Sequence, residues 1–311
     1  MRIRLILTLF LTTIFQLTTY SQENDKYTLF EKKGYNFPYD LSEPDKEWKL
    51  PKKLVEISGL STIDENRLAC VQDEKGNVYV FNLTSGEVES KIDFGDDGDY
   101  EGIELIGNDA WVLKSNGTLF EVSNFLNEEN PASTKHTTEL SKKNDAEGLA
   151  YDPVSHSLLI ACKGHPFVEE KEGKEFKALY SFDLKSKKLN LNPFLLIEMD
   201  TIKYYKNYNT MTQLGIELLA YFDDSKGDLS FQPSGLATHP VTGHFYILGS
   251  VGNLLMVFSR ENEMLAMIKL RSKYFAQPEG LCFGPDGKLY IANEGNEKAA
   301  TILLFEPEKP F

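Results

Sequence analysis

A short motif ending in glycine recurs along the chain at an interval that leaves few architectures open. It reads Ile57-Ser58-Gly59-Leu60, Tyr100-Glu101-Gly102-Ile103, Ala146-Glu147-Gly148-Leu149, Pro233-Ser234-Gly235-Leu236 and Pro278-Glu279-Gly280-Leu281. The gaps between the glycines are 43, 46, 87 and 45 residues. A period near 45 residues is that of a four-stranded propeller blade. A unit of this size cannot bury both of its own faces, so copies must stack against one another.

The residues after each glycine read as strands. In the first unit Arg67–Val71, Asn77–Asn82 and Val88–Phe94 alternate with turn signals at Asp64-Glu65-Asn66, Lys75-Gly76 and Ser85-Gly86. Val78-Tyr79-Val80-Phe81 is wholly β-branched or aromatic, which suits a strand packed on both faces. The unit at Ser234 repeats the plan with His244–Leu248, Asn253–Phe258 and Met264–Leu270. The fold class expected is all-β, a propeller of five blades with four antiparallel strands each.

Two irregularities qualify that expectation. The last unit supplies Lys288–Ala292 and Thr301–Phe305 and then runs out of chain, so a fourth strand must come from elsewhere. Residues 22–55 are the expected source, with Glu47–Leu50 or Tyr27–Phe30 as candidates, because pairing the termini removes an exposed sheet edge. The 87-residue gap could hold a sixth blade. The sequence favours one blade plus an insertion near 198–232, where strand-turn alternation is lost and Ile202–Leu219 suits a short helix.

The first 21 residues read as a signal peptide. Arg2 and Arg4 precede an apolar run from Leu5 to Leu17, with Thr19 and Ser21 at the −3 and −1 positions before Gln22. The run is too short for a transmembrane anchor. The expected mature protein is exported, periplasmic or secreted, and a monomer with 56–311 as its propeller domain. It would carry 31 Lys and Arg against 47 Asp and Glu, a net charge of −16. Such a surface repels phosphate backbones and anionic lipids, so nucleic acid and membrane surfaces are not expected partners. An unknown protein or small molecule is. Cys70, Cys162 and Cys282 all sit in apolar strand-like runs, which points to buried free thiols.

In a propeller the first strand of every blade lines the channel, so the residue before each glycine belongs to one ring: Ser58, Glu101, Glu147, Ser234 and Glu279. Two positions earlier stand Glu56, Asp99, Asp145, Gln232 and Gln277. Converging carboxylates repel unless protons or a cation neutralise them. Calcium suits such oxygen ligands, whereas none of the histidines at 136, 156, 165, 239 and 244 falls in the ring to favour zinc. The ends of the second strands, Asp73, Ser115, Lys163, Ser250 and Glu294, form a second candidate tier, with Lys163 as a possible internal counter-ion. The bland alternative is that Glu or Ser simply opens a strand with its side chain in water. The acidic run Asp93–Glu101 lacks EF-hand spacing and reads, in its first half, as a solvated turn. No GxSxG, HExxH, P-loop or GxGxxG motif is present.

The stretches EISGLS (56–61), VQDEKGNVYVFNL (71–83), DYEGIEL (99–105), DAEGLAYDP (145–153), QPSGLATHPVTGHFYIL (232–248) and QPEGLCFGPDGKLYIANEG (277–295) resemble the SdiA-regulated, YjiK-like family, a distant relative of NHL-repeat propellers. The resemblance spans roughly residues 47–307. It implies a five-bladed propeller with bound calcium. It also implies channel-facing roles for Glu101, Glu147 and Glu279, with Asp73 and Glu294 at typical motif positions; Asp99 and Asp145 complete the candidate ligands. IANEGNEKAATILLF departs from the usual pattern by carrying extra residues between its last two strands. The resemblance supplies no activity. The expected function is a non-catalytic, calcium-stabilised binding or scaffold module. The alternative is a metal-dependent hydrolase of a lactone, ester or phosphoester, by analogy with six-bladed propellers that bear an E-G motif.

Overall fold

The computed structural model describes residues 27–127, 131–169, 173–205, 231–295, 299–309 and 311. The candidate signal peptide and residues 206–230 of the expected insertion lie outside them. Two N-terminal strands, β1 (Thr28–Glu31) and β2 (Lys46–Lys49), precede a single 3-10 turn at Lys52–Leu54. Five antiparallel sheets then follow in chain order.

Blade 1 comprises β3 (Ile57–Asp64), β4 (Arg67–Gln72), β5 (Asn77–Asn82) and β6 (Glu87–Asp93). Blade 2 comprises β7 (Tyr100–Ile106), β8 (Asp109–Lys114), β9 (Leu119–Val122) and β10 (Ser133–His136). In blade 3, β11 (Ala146–Asp152), β12 (Ser157–Cys162) and β13 (Phe176–Asp183) are flanked by two short strands. These are β14 (Lys188–Leu189) and β15 (Leu195–Glu198), and both pair with β13. The helix α1 (Met199–Tyr205) follows β15. Blade 4 runs β16 (Gln232–Thr238), β17 (Phe245–Val251), β18 (Leu254–Phe258) and β19 (Met264–Lys269). Blade 5 runs β20 (Pro278–Phe283), β21 (Leu289–Asn293) and β22 (Thr301–Phe305).

The two N-terminal strands go to different blades. β2 pairs with β22, Trp48 opposite Ile302, and supplies the fourth strand of blade 5. β1 pairs with β19 and adds a fifth, outermost strand to blade 4. One apolar layer fills each gap between neighbouring blades. Val71, Val80, Tyr100 and Val112 pack between blades 1 and 2, and Trp48, Tyr79, Tyr290 and Ile302 between blades 5 and 1. Between blades 3 and 4 the layer holds Leu159, Leu179, Phe245 and Met256. A half-buried ion pair pins that junction: the Arg260 guanidinium grips the buried Asp152 with two nitrogens, at 2.9 and 3.0 Å.

The repeated glycines explain the ring. A Cβ on Gly148 would stand 2.8 Å from Leu236 Cβ and 3.0 Å from Gly235 C, in the next blade. Likewise Gly59 abuts Gly102, Gly102 abuts Leu149, Gly235 abuts Leu281, and Gly280 returns to Leu60 and Gly59. Only a residue without a side chain permits this approach. The circuit also decides the blade number. Blade 3 touches blade 4 directly, which leaves no place between them for a sixth. All three cysteines are buried and free, as the apolar runs around them imply.

Candidate functional site

The motif residue before each glycine is a β-bulge. Register shifts between Ile57 and Gly59, Tyr100 and Gly102, Ala146 and Gly148, Pro233 and Gly235, and Pro278 and Gly280. Ser58, Glu101, Glu147, Ser234 and Glu279 are therefore the extra residues, unpaired in their ladders. A bulge re-aims the side chain it carries. Glu101, Glu147, Glu279 and Ser58 together line a small axial cavity of about 10 Å³, space for roughly one water-sized body.

The serines and glutamates use this slot differently. Ser58 Oγ donates to the Tyr100 carbonyl at 2.6 Å, and Ser234 Oγ donates to the Pro278 carbonyl at 2.8 Å. Each serine thus fastens the peptide immediately before the next blade's glutamate. The three longer side chains carry the charge.

A second tier sits beside the first. The amides of Asp73, Ser115, Lys163 and Glu294 donate to the carbonyls of Glu56, Asp99, Asp145 and Gln277, at 2.8 to 3.2 Å. The end of each second strand is thereby tied to the entry of the first. Blade 4 departs from this pattern. A second register shift between Gln232 and Pro233 takes Ser250 out of the ladder. Within the other pairs the Ser115 hydroxyl binds the Asp99 carboxylate and the Gln277 amide binds Glu294. Asp73 lies against Glu56 and Glu294, and its Oδ1 is buried with no hydrogen-bond partner.

Two ammonium groups reach the cluster: Lys163, and Lys177, which donates to the Lys163 carbonyl and faces Asp145. Lys163 Nζ donates to Glu147 Oε1 at 3.0 Å, and it also faces Glu279 and Asp145. Two ammoniums do not neutralise the assembly. Burial, then Glu147 and Asp99, push the Glu101 carboxyl up to about 10. Burial and Glu147 raise Glu279 to about 7. Burial, Glu56 and Glu294 raise Asp73 to about 7. Glu147 and Glu294 are also raised, with burial the main cause in each, although Lys163 opposes the shift at Glu147. Burial first, and mutual repulsion second, make these carboxyls easier to protonate than free ones, and a bound cation would oppose both effects.

All seven candidate ligands therefore lie in two adjoining groups. Glu101, Glu147, Asp99 and Asp145 gather near Lys163, and Asp73 and Glu294 gather around Glu56, with Glu279 facing both. The donors are oxygens, which suits a hard cation. Among the described residues, no three His, Cys, Asp or Glu side chains already stand in a metal-holding arrangement. No histidine lines the cavity. His239, for example, is used in the fold, accepting the Val241 and Thr242 amides and meeting Tyr39 Oη at 3.1 Å.

Some functional detail was not anticipated. Glu104 on β7 takes hydrogen bonds from Ser61 Oγ, the Leu105 amide and the Tyr151 amide, which join three blades. It lies outside the recurring motif, and its partners are distant in sequence. The first half of the Asp93–Glu101 run is largely exposed between β6 and β7.

Five antiparallel sheets about one axis, closed by the N-terminal strand β2, make this a five-bladed β-propeller. Among solved structures its fold is similar to glutaminyl cyclase from Myxococcus xanthus, at 11% identity over 85% of this chain and 95% of that one, with a TM-score of 0.52. Lower TM-scores relate it to PQQ-bound aldose sugar dehydrogenase from Streptomyces coelicolor (0.48; 11% identity; 85% and 97% covered). Virginiamycin B lyase from Staphylococcus aureus gives 0.43 (12% identity; 85% and 74% covered). At such identities the likeness concerns the fold alone. Residues 41–297 match the SdiA-regulated family, and the chain belongs to it. No curated protein matches the sequence.

Proposed function

We propose that this protein is an exported, non-catalytic propeller that binds a hard divalent cation, calcium, at its acidic channel end and serves as a binding or scaffold module. The observation that carries the reading is Asp73: its buried Oδ1 meets no donor, and its carboxyl, raised to about 7, shares a contact with the acid Glu56 and faces Glu294. Asp73, Glu294 and Glu56 would hold the ion, with Glu279 adjoining. Closing on it requires these side chains to rearrange. Calcium would supply charge neutralisation to the crowded acids and would stabilise the folded state by linkage. Export rests on residues 1–21, whose basic start, short apolar core and small residues before Gln22 form a cleavable leader. No helix among the described residues is long and apolar enough to cross a membrane.

The test is a thermal melt of the chain lacking residues 1–21, in EGTA and in millimolar calcium, beside Asp73→Asn and Glu147→Gln. The expected result is a calcium-dependent rise in midpoint that Asp73→Asn abolishes and Glu147→Gln weakens. An unchanged midpoint in wild-type protein sinks the cation reading.

A further inference from the structure

At the end of β16 and β17 opposite the acidic bulges, the linker between β1 and β2 packs along the junction of blades 4 and 5 and leaves a cavity of about 270 Å³. Five rings contribute to its walls: Tyr35 and Phe37 from the linker, Tyr246 from β17, His244 from the turn before β17, and Phe311. Tyr35 meets the His244 ring edge-on at 5.8 Å, and Phe37 lies 6.3 Å from Tyr246. Glu308 and Lys309 stand at the same cavity and bring both signs of charge to it.

The polar groups here are underused. His244 Nδ1 is buried without a hydrogen-bond partner, and its backbone amide donates to Thr242 Oγ1. Burial lowers its pKa below the usual value, so the ring is neutral at pH 7 and offers one donor and one acceptor. The Tyr35 and Tyr246 hydroxyls stand 3.4 Å apart, a long contact that leaves both with capacity to spare.

We propose that this cavity binds a single pyranose ring, free or at the end of a glycan. Its volume lies just below the range typical of drug-sized ligands, which fits one ring rather than several. Aromatic walls pack against the apolar C–H face of a sugar. Hydroxyls both donate and accept, so they serve the His244 edge in either tautomer, the Tyr35 hydroxyl, Glu308 and Lys309 together. A planar aromatic ligand would fill the space and leave these groups unmatched. A quaternary amine would meet Lys309 and offer His244 nothing.

Saturation-transfer NMR on the intact protein tests this with methyl α-glucoside, methyl β-galactoside, methyl α-mannoside and methyl β-N-acetylglucosaminide, and with phenol as the aromatic control. At least one glycoside should bind saturably, with transfer strongest on one C–H face. His244→Ala should weaken it roughly tenfold, the worth of one lost hydrogen bond in a covered site. Tyr35→Ala should remove it. Midpoints of both variants are compared with wild type, and Tyr35→Phe with His244→Gln replaces any variant that fails to fold. Binding of phenol without any glycoside, no binding at all, or glycoside binding that survives the substitutions overturns the proposal.

Discussion

Blades 1 and 4 carry serine where blades 2, 3 and 5 carry glutamate, on the same bulge and beside the same glycine. The short hydroxyl reaches only the neighbouring backbone, so Ser58 and Ser234 bond the carbonyls of Tyr100 and Pro278. The longer side chains extend into the channel, where Glu101, Glu147 and Glu279 share one small cavity. Side-chain length decides whether the slot fastens the ring or charges it. The two uses are linked, because the carbonyls that the serines hold belong to the residues just before Glu101 and Glu279.

The frame common to both kinds of blade is the most sensitive part. Gly148→Val would drive a side chain into the Leu236 amide and the Gly235 carbonyl carbon, both 3.0 Å from an ideal Cβ. Backbone cannot step aside as a flexible side chain can. The expected cost is about 3 kcal/mol or more, at the upper end for overpacking. Chemical denaturation should show an unfolded or severely weakened protein. A variant as stable as wild type would mean that the glycine ring is not what fixes blade spacing.

A glutamate blade can be converted to the serine kind. Glu101→Ser removes a carboxyl whose pKa burial and Glu147 push up to about 10, and gives the slot a hydroxyl that can bond the Ala146 carbonyl. In EGTA the variant should be more stable than wild type by about 1 kcal/mol, as when a poorly compensated buried acid is replaced. Its response to calcium should shrink. Loss of stability instead would show that the Glu101–Asp99 pair supports the fold without a cation.

The reverse operation is milder. Ser58→Ala deletes one buried hydrogen bond, worth about 1 kcal/mol. The peptide before Glu101 is then freed, so the calcium-induced rise in midpoint should fall with the stability. Ser234→Ala should do the same through Glu279. Equal stability losses with an untouched calcium response would separate fastening from charging.

The ring was legible because it is periodic. Five glycines at matching intervals give blades, and the residue before each gives the channel position, so Glu101, Glu147 and Glu279 could be named from spacing. Strand limits such as Asn77–Asn82 and Thr301–Phe305 coincide with β5 and β22 because turn residues bound them. The 87-residue gap was harder: no sequence period reveals that Gly148 lies against Gly235. Nor does one reveal how a side chain is spent. Ser58 and Glu101 look equivalent in the repeat, and only the distance to the next blade's carbonyl separates them. Tyr27–Phe30 and Glu47–Leu50 were equal candidates for closing the ring, and the structure uses both stretches, β2 in blade 5 and β1 in blade 4. Glu104 left no trace because its partners, Ser61 and Tyr151, belong to other blades.

Glu104 sharpens the comparison from outside the ring, for it is an acid satisfied by neutral donors alone. Three hydrogen bonds favour its charged form, yet burial outweighs them and raises the carboxyl from 4.5 to about 7. The folded state therefore holds this proton more tightly than the unfolded chain does. Its contribution to stability is complete below about pH 4.5 and is lost as pH rises through about 7. Glu104→Gln cannot ionise, so its melting midpoint in EGTA should fall less between pH 5 and pH 8 than that of wild type. Asp73 and Glu279 titrate over the same interval in both proteins, so the difference between the two curves isolates Glu104. Parallel curves would mean that the Ser61, Leu105 and Tyr151 donors keep Glu104 ionised at ordinary pH. Hydrogen bonding between blades would then stabilise a buried carboxylate charge more fully than Lys163 does in the channel.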